Sequence, residues 1–521
     1  MTPKLISIVV AIAFCSPGHS EEPNNAIDWF QEEPNKNQET IITKIGNKEN
    51  IEVSIAKSTL DPNNLNSVGI ISTQITGIDS RIWKETNEKE LFHLLTTLPN
   101  LNFYSARTFL KRILISETLP PISHSGLKSG QFYLLAKLDK LIEMGALDEA
   151  ETTILQVQQF STELFSRWVR IAFLTGRISK LCKKLKKEPG LSQNLSVRVI
   201  CLKKLNDWDA AALTLSTASN LELIDRDREK LLVYFLDPTL IPVDELTLNV
   251  TKFDEIDFYI LILANQIKTK LQTTESKYLY VMFKNSFNTK TKIEAAELLA
   301  ISKSISGSTL FDIYRNNNIN GSTGIWKRMI AIKNLDLTLR RNNEKGVIIA
   351  LNNAVNEMFF GNLLPLFAAE YSDKLSRYSP KTNREGLNDY FALLFALNGE
   401  MPTSWERYQS TNKFIAMAIS ILRDDKLNSV DIGDALKLVD PSFDSAMVLD
   451  SVTKPGLNLH ENKTNHNGTL ILQALKKSAL GVNTPTTDLY TSLLLFLEAK
   501  KKVLVKSILI EYLIYFSRVR E

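Results

Sequence analysis

The amino-acid sequence predicts an all-α protein, an α-solenoid of stacked helical hairpins, with a short extended or β-hairpin segment near the N-terminus. One short pattern occurs three times between residues 134 and 216. Apolar residues recur with helical periodicity from near Glu88 to the end of the chain. Glycine, asparagine and proline fall between the periodic stretches, where hairpins need their turns.

The repeated pattern is anchored on Gly145, Gly176 and Asn206, at intervals of 31 and 30 residues. Glycine and asparagine tolerate the left-handed backbone conformation that ends many helices. Apolar residues stand seven and four positions before each anchor, on one face of a first helix. These residues are Leu138 and Leu141, Val169 and Ala172, and Val199 and Leu202.

A second helix is predicted to follow each anchor. Three positions after the anchors stand Asp148, Ser179 and Asp209, whose side chains can accept hydrogen bonds from the free N–H groups of that helix. The positions five and nine after each anchor face inward, since they lie four residues apart on one helix. They are held by Ala150 and Ile154, Leu181 and Leu185, and Ala211 and Leu215. A hairpin this short cannot bury its apolar face alone, so we expect neighbouring hairpins to stack.

The run from Gly145 to Ala150 resembles the inter-helix turn of a tetratricopeptide repeat, and the run from Asn206 to Ala211 is similar. The middle copy departs from the family pattern, because Leu181 stands where the family has a small alanine. The period is also shorter than the usual 34 residues of that family. The resemblance implies tetratricopeptide-like packing between residues 134 and 216. The alternative is an irregular helical array whose turns align by chance.

The first twenty residues are predicted to be a signal peptide for export. Lys4 supplies the charged start, and Leu5 to Phe14 form an apolar run too short for a permanent membrane anchor. Gly18 and Ser20 are the small residues expected before a cleavage site, so we predict cleavage after Ser20. The expected location is therefore the periplasm of a Gram-negative cell, or outside the cell.

Lipidation at Cys15 is the alternative fate of the leader, although the bulky Phe14 precedes it where a lipidation site needs a small residue. No later segment is apolar enough to predict a transmembrane helix. Hydrophobic residues make up 44% of the chain and charged residues 23%, as in folded soluble proteins. The net charge of +4 predicts no nucleic-acid partner, which would require a clustered basic face.

Two cysteines remain once the leader is removed, Cys182 and Cys201. An even number of cysteines in an exported chain favours a disulfide. Cys182 lies early in the second helix of the middle hairpin, and Cys201 lies late in the next helix. Pro189 and Gly190 mark the turn between these helices, so the two cysteines are nearly equidistant from it. The sequence therefore predicts a structural Cys182–Cys201 disulfide between two repeats.

Shifts of composition and proline breaks divide the chain into seven predicted segments. They are a signal peptide (1–20), a disordered tether (21–50), a short strand or strap region (51–86), N-terminal tetratricopeptide-like repeats (87–237), C-terminal helical repeats (238–437), a loop or linker (438–468) and terminal capping helices (469–521).

No residue pattern predicts a catalytic, cofactor-binding or metal-binding site. The run Ser451 to Lys454 spells S-x-x-K, but the K-T-G sequence that penicillin-binding enzymes also need does not follow. Glu275-Ser276 is similar to the Glu-Ser pair of lytic transglycosylases, but the Gly-Leu-Met-Gln run of their catalytic domain is missing. None of the histidines has the spacing of an H-E-x-x-H zinc site.

The expected function is that of a non-catalytic periplasmic scaffold or adaptor that binds a partner protein or peptide, because solenoids present long concave surfaces. The alternative is a structural component of the cell envelope associated with peptidoglycan. A cell-wall-active enzyme is the third possibility, since an acid–base pair of ordinary Asp and Glu residues leaves no pattern in one sequence.

Overall fold

The structure is a computed structural model, and it describes part of the chain, all of it within one unit, Leu60–Glu521. The described residues are 68–84, 86–121, 131–246, 254–266, 275–285, 288–341, 343–376, 387–400, 410–448 and 467–519. The predicted signal peptide, the predicted tether and residues 51–67 of the predicted strap lie outside these ranges, as does most of the predicted loop 438–468.

The prediction of an all-α solenoid is confirmed, because the described chain is helical and contains no strand beyond one isolated bridge. The N-terminal helices are α1 (Thr73–Thr76), α2 (Glu88–Thr96), α3 (Tyr104–Ile115), α4 (Gln131–Met144), α5 (Leu147–Ile154), α6 (Thr162–Thr175), α7 (Ser179–Lys187), α8 (Leu195–Lys204), α9 (Trp208–Asn220) and α10 (Arg226–Leu236).

The array continues through a second group of helices and a terminal group. The second group is α11 (Glu255–Leu263), α12 (Ser276–Asn285), α13 (Thr289–Ile301), α14 (Gly307–Asn316), α15 (Ile325–Arg340), α16 (Glu344–Phe360), α17 (Leu364–Ser376), α18 (Leu387–Asn398), α19 (Lys413–Arg423) and α20 (Ser429–Val439). The terminal group is α21 (Asn467–Lys477), α22 (Thr486–Glu498) and α23 (Lys502–Val519).

Helices adjacent in sequence pack against each other as hairpins, most extensively α8 on α9, α12 on α13, α15 on α16, α17 on α18 and α21 on α22. Their facing sides are apolar and buried, and they belong to one hydrophobic core that runs through the described chain. Each hairpin therefore buries the apolar face of its neighbour, as in other proteins built from stacked repeats.

The predicted turn conformation is confirmed at all three anchors. The φ angles of Gly145, Gly176 and Asn206 are 78°, 74° and 62°, all in the left-handed region. Gly145 is also required by a close approach, since a Cβ atom there would lie 2.6 Å from the carbonyl oxygen of Ser276. The same conformation recurs at later turns, where the residues are Glu222, Asn265, Lys303, Asn362, Gly399 and Lys500.

The prediction that the residues three positions after the anchors cap the second helices is wrong. In the first copy α5 begins at Leu147, so Asp148 lies inside its first turn. The carboxylate of Asp148 instead accepts hydrogen bonds from Arg177 and from the hydroxyl of Tyr280, each at 2.7 Å. In the third copy the capping side chain is Asp207, two positions earlier than predicted. The second helix of each hairpin begins earlier in the sequence than predicted, because the turn before it contains fewer residues than expected.

Ala150 and Ala211 are fully buried between paired helices, as predicted. We expect Ala150→Trp and Ala211→Trp each to lower the free energy of unfolding by about 1–3 kcal/mol, because a buried alanine site has no room for an indole. Chemical denaturation of the purified variants measures this change. Leu213→Trp is the matched control, since Leu213 is 69% exposed on the same helix as Ala211. Equal stability of all three variants would contradict the proposed packing.

The segment before α2 contains both an extended stretch and a helix. Ile71 forms an isolated parallel bridge with Ser116, so the prediction of an extended segment is confirmed at this point. The predicted strap region, 51–86, also contains a helix, because α1 covers Thr73–Thr76 and ends in a left-handed turn at Gly77. The side chain of Lys137 holds the extended stretch by donating to the carbonyls of Val68 at 2.6 Å and Ser116 at 2.9 Å.

Stability is expected to rise with pH because of Lys137. Burial lowers the pKa of this ammonium group from 10.5 to about 7 in the folded protein. Between these values the unfolded chain binds a proton that the folded protein has released, so raising the pH favours folding. We expect Lys137→Met to remove about 1–2 kcal/mol of the stability gained between about pH 7 and 9, measured by denaturation.

A matched control for this experiment is Lys345→Met, because Lys345 is exposed on α16. It should leave the dependence of stability on pH unchanged. Lys303 has its pKa lowered to about 7 as well, so part of the rise should survive in Lys137→Met. An identical pH profile for wild type and Lys137→Met would show that Lys137 keeps its ordinary pKa.

The terminal helices contact the first helices of the array. The predicted capping region, 469–521, contains α21, α22 and α23, and the last two are separated by a turn at Lys500. The last helix, α23, packs on α3 as well as on α19, and α21 packs on α2. The backbone N–H of Asn102 donates to the carbonyl of Ala479 at 2.9 Å. The first and last helices therefore bury each other's apolar faces.

Candidate binding cleft

A cleft of about 450 Å³ lies where α3 and α23 meet the turn between α16 and α17. We call it the amide cleft. Its walls carry three asparagines and four aromatic residues that come from distant parts of the sequence. These residues are Asn102, Asn362, Asn483, Phe103, Tyr104, Phe359 and Tyr515.

The three asparagines are exposed. Asn362 adopts a left-handed conformation, with φ of 56°, in the turn between α16 and α17. Asn102 lies close to Gly481, where an added Cβ atom would approach the Asn102 Cβ to 2.7 Å. Glycine at 481 therefore permits the loop after α21 to reach Asn102. Each amide offers two donor hydrogens and an acceptor oxygen to a molecule in the cleft.

Glu511 of α23 forms the inner wall and is buried. Its carboxylate accepts the backbone N–H of Tyr104 at 2.8 Å and that of Ser105 at 2.7 Å, and it also accepts the hydroxyl of Ser105. These two N–H groups begin α3, and the residue before the helix, Phe103, offers no capping side chain. A side chain of the last helix thus caps one of the first helices.

Opposing effects act on the ionisation of Glu511. Burial raises the pKa of the carboxyl group, whereas the hydrogen bonds from Ser105 and the charge of Arg107 act in the opposite direction, and the net pKa is raised. The pKa of Arg107 is lowered, again chiefly by burial. Its guanidinium donates to the carbonyl of Leu101 at 2.9 Å, so it fixes the approach to α3.

Lys303 connects this wall to the turn between α13 and α14. Its ammonium group lies 3.7 Å from the centroid of the Tyr104 ring and donates to the Tyr104 hydroxyl. Burial and the positive charges of Arg107 and Lys111 lower the pKa of Lys303 to about 7. Lys111 in turn donates to the carbonyl of Lys303 at 2.7 Å. Lys303 therefore contacts the side chain of Tyr104, while Glu511 accepts its backbone N–H.

A second cleft of about 530 Å³ adjoins the first, and Tyr104 and Leu397 line both. We call it the basic cleft, because four cationic side chains line it and, among the residues that the structure describes, no aspartate or glutamate does. The cationic residues are Arg112, Lys500, Lys501 and Lys502. The hydroxyl groups of Ser105, Thr108 and Ser507 also line it.

Ion-pair networks elsewhere join neighbouring hairpins. Arg170 bridges Asp139 on α4 and Glu255 on α11, both at 3.0 Å. In the second half Arg315 contacts Asp336 and Glu370, each at 3.0 Å. Because these acidic groups are engaged by cations from other helices, we assign them to the stacking of the repeats.

The residues singled out from the sequence lie away from the two clefts. The predicted disulfide is formed, with the Cα atoms of Cys182 and Cys201 4.9 Å apart, and it joins α7 to α8. The turn residues Gly145, Ala150, Gly176, Asn206 and Ala211 belong to the hairpins α4 to α9. They organise the repeats, and none of them lines the amide cleft or the basic cleft.

Sequence reasoning did not single out Glu511 or the asparagines of the amide cleft. A signal for Glu511 does exist, because it interrupts the very apolar sequence of α23. A carboxylate at an inward position of such a helix requires a hydrogen-bonding partner. That partner lies some 400 residues away in the sequence, at Tyr104 and Ser105, and no local pattern reveals it.

Comparisons of the chain with family models, with curated proteins and with solved structures give no match. Among the helices of the described ranges, none has both the length and the apolar character needed to cross a bilayer. The same residues contain no group of three or more His, Cys, Asp or Glu side chains placed to hold a metal ion.

Proposed function

We propose that this protein is an exported, non-catalytic helical-repeat scaffold or adaptor, and that it binds an extended segment of a partner protein in the amide cleft. The observation that carries the proposal is the set of exposed amides at Asn102, Asn362 and Asn483 around one concave space. An extended peptide presents unpaired N–H and C=O groups, and an asparagine side chain can pair with both.

The other walls of the amide cleft support the same proposal. Phe359 and Tyr515 provide aromatic surface against which apolar side chains of a peptide can pack. The volume of about 450 Å³ lies within the range of ligand sites in proteins and suits a few residues of a chain. A site of this kind needs no reacting group.

A non-catalytic role also agrees with the surroundings of Glu511. Its two carboxylate oxygens are occupied by Tyr104 and Ser105 at the start of α3. A general acid or base must instead have its proton within reach of a substrate. The export proposal is supported by the leader-like sequence of residues 1–20 and by the Cys182–Cys201 disulfide, since disulfides persist in oxidising compartments.

Site-specific photo-crosslinking in the native cell envelope tests the proposal. A photoreactive amino acid is placed at Leu480, which lines the amide cleft and is 57% exposed. The matched control position is Ile349 on α16, which is 72% exposed and does not line the cleft. We expect the probe at 480 to capture one protein in stoichiometric yield, and the probe at 349 to capture none.

A double variant tests whether crosslinking from position 480 depends on the asparagine side chains of the amide cleft. Asn102→Leu with Asn483→Leu should reduce crosslinking from position 480 without lowering the melting temperature, because both side chains are exposed. Identical capture from both probe positions would contradict the proposal. Co-sedimentation with purified peptidoglycan in the absence of a protein partner would favour the envelope component. Turnover of a cell-wall substrate, abolished by changing one carboxylate, would identify an enzyme.

A further inference from the structure

The basic cleft is a concentration of positive charge. Of its four cations, Lys502 donates a hydrogen bond to the backbone carbonyl of Asp425. In the described part of the chain, Lys500, Lys501 and Arg112 form no ion pair with a carboxylate. The charge of Asp79 acts on Lys501, but the Asp79 carboxylate accepts the backbone N–H of Arg81 at 2.9 Å. Elsewhere in the same chain, arginines of the hairpins are paired with acids from neighbouring helices.

Lys501 is a half-buried cation of this cleft. It lies in the short turn between α22 and α23, where Lys500 adopts a left-handed conformation with φ of 57°. Burial lowers the pKa of its ammonium group, the charge of Asp79 acts in the opposite direction, and the charge of Arg112 lowers the pKa further. Two like charges that face one cavity repel each other, and a bound anion would relieve that repulsion.

The basic cleft and the amide cleft are adjacent, since Tyr104 and Leu397 contribute to the lining of both. A chain lying in the amide cleft can therefore extend into the basic cleft. Three of its four cations are lysines, which act as compact point charges and do not impose the planar geometry of a bidentate arginine site. Carboxylate side chains along a flexible peptide satisfy such point charges.

We propose that the partner segment is acidic, and that Asp or Glu side chains next to the part held in the amide cleft lie in the basic cleft against Arg112 and Lys501. This inference rests on the proposed function, because it specifies the chemistry of the segment bound there. Charge complementarity of this kind accelerates association and helps to select the partner.

Selection from a displayed library of random dodecapeptides against the mature chain tests the inference. Enriched peptides should carry clustered Asp or Glu beside a neutral stretch. The most enriched peptide is then synthesised together with a version that has Gln and Asn in place of Glu and Asp. We expect the acidic version to bind at least about tenfold more tightly by fluorescence anisotropy, and the difference to shrink as salt is added.

The double variant Arg112→Gln with Lys501→Gln should weaken binding of the acidic peptide about tenfold and leave the neutral version unaffected. The matched control is Arg340→Gln with Lys345→Gln, which removes the same charge from exposed positions and should change binding less than about twofold. Lys500→Gln, at an exposed turn position, gives the same test if the first double variant does not fold.

The outcomes separate the two proposals. Enriched peptides that lack acidic residues, or equal affinity for the acidic and neutral versions, would overturn the acidic segment and leave peptide binding intact. Enrichment of no peptide would overturn both proposals. Inorganic tripolyphosphate is the competitor that distinguishes a general polyanion site. If it binds the basic cleft more tightly than the acidic peptide does, the natural occupant is a phosphate-bearing molecule and the inference is wrong.

Discussion

Replacing Glu511 with alanine is expected to lower the free energy of unfolding by about 2–4 kcal/mol, the largest effect of any single substitution considered for this chain. The substitution removes a buried carboxylate that accepts two backbone N–H groups and one hydroxyl at the start of α3. Those donors lose their partner while they remain partly buried, and a cavity is left beside α23. Denaturation with urea measures the loss.

Two variants give this prediction its controls. Glu90→Ala removes an exposed glutamate from the first turn of α2 and should cost less than about 0.5 kcal/mol. Glu511→Gln keeps one acceptor oxygen, so it should lie between wild type and Glu511→Ala. If Glu511→Ala is no less stable than Glu90→Ala, the carboxylate does not hold α3.

Removing the disulfide with Cys182→Ala and Cys201→Ala is expected to lower the free energy of unfolding by about 3 kcal/mol. The bond closes a loop with a sequence separation of 19, and breaking it restores conformational freedom to the unfolded chain. Alanine is used in both positions because a serine hydroxyl would be buried without a partner. The loss should be largest for the hairpins that contain α7 and α8.

Reduction provides the control for the disulfide. A thiol reductant should destabilise the wild-type protein by a similar amount and leave the double alanine variant unchanged. Two free thiols in protein taken from an oxidising compartment would contradict the prediction. So would a double variant that is as stable as the oxidised wild type.

The sequence predicted the parts of the fold that depend on local chemistry. Gly145, Gly176 and Asn206 could be recognised because few residue types adopt the left-handed conformation readily. The Cys182–Cys201 pair followed from the length of two helices and the turn between them. Both inferences use residues within one or two hairpins, where helical geometry fixes the distances.

The turns at Lys303 and Lys500 could not be predicted in this way. Lysine adopts the left-handed conformation only when the surrounding packing favours it, so the residue type carries no signal. The conformation of the segment before α2 could not be predicted from residue types either. The sequence predicts a short strand or strap over residues 51–86, but the helix α1 forms within it. Packing decided the conformation of this short stretch more than intrinsic preference did.

The candidate site depends on contacts that only the folded chain creates. The amide cleft combines Asn102 near the start of the array, Asn362 from its middle and Asn483 near its end. Asparagines are common in polar turns, so none of the three stands out in the sequence. Their significance appears only once α23 has packed against α3 and brought the three turns to one cavity.

Hydrogen exchange of the α3 amides, followed by mass spectrometry, tests most directly the claim that the last helix holds the first helices and so builds the binding cleft. In Glu511→Ala, exchange in Tyr104–Ile115 should become at least about tenfold faster, because opening α3 then costs at least about 1.4 kcal/mol less. Exchange in Ile325–Arg340 of α15 should remain as in the wild type. Equal exchange rates for α3 in the two proteins would contradict the account.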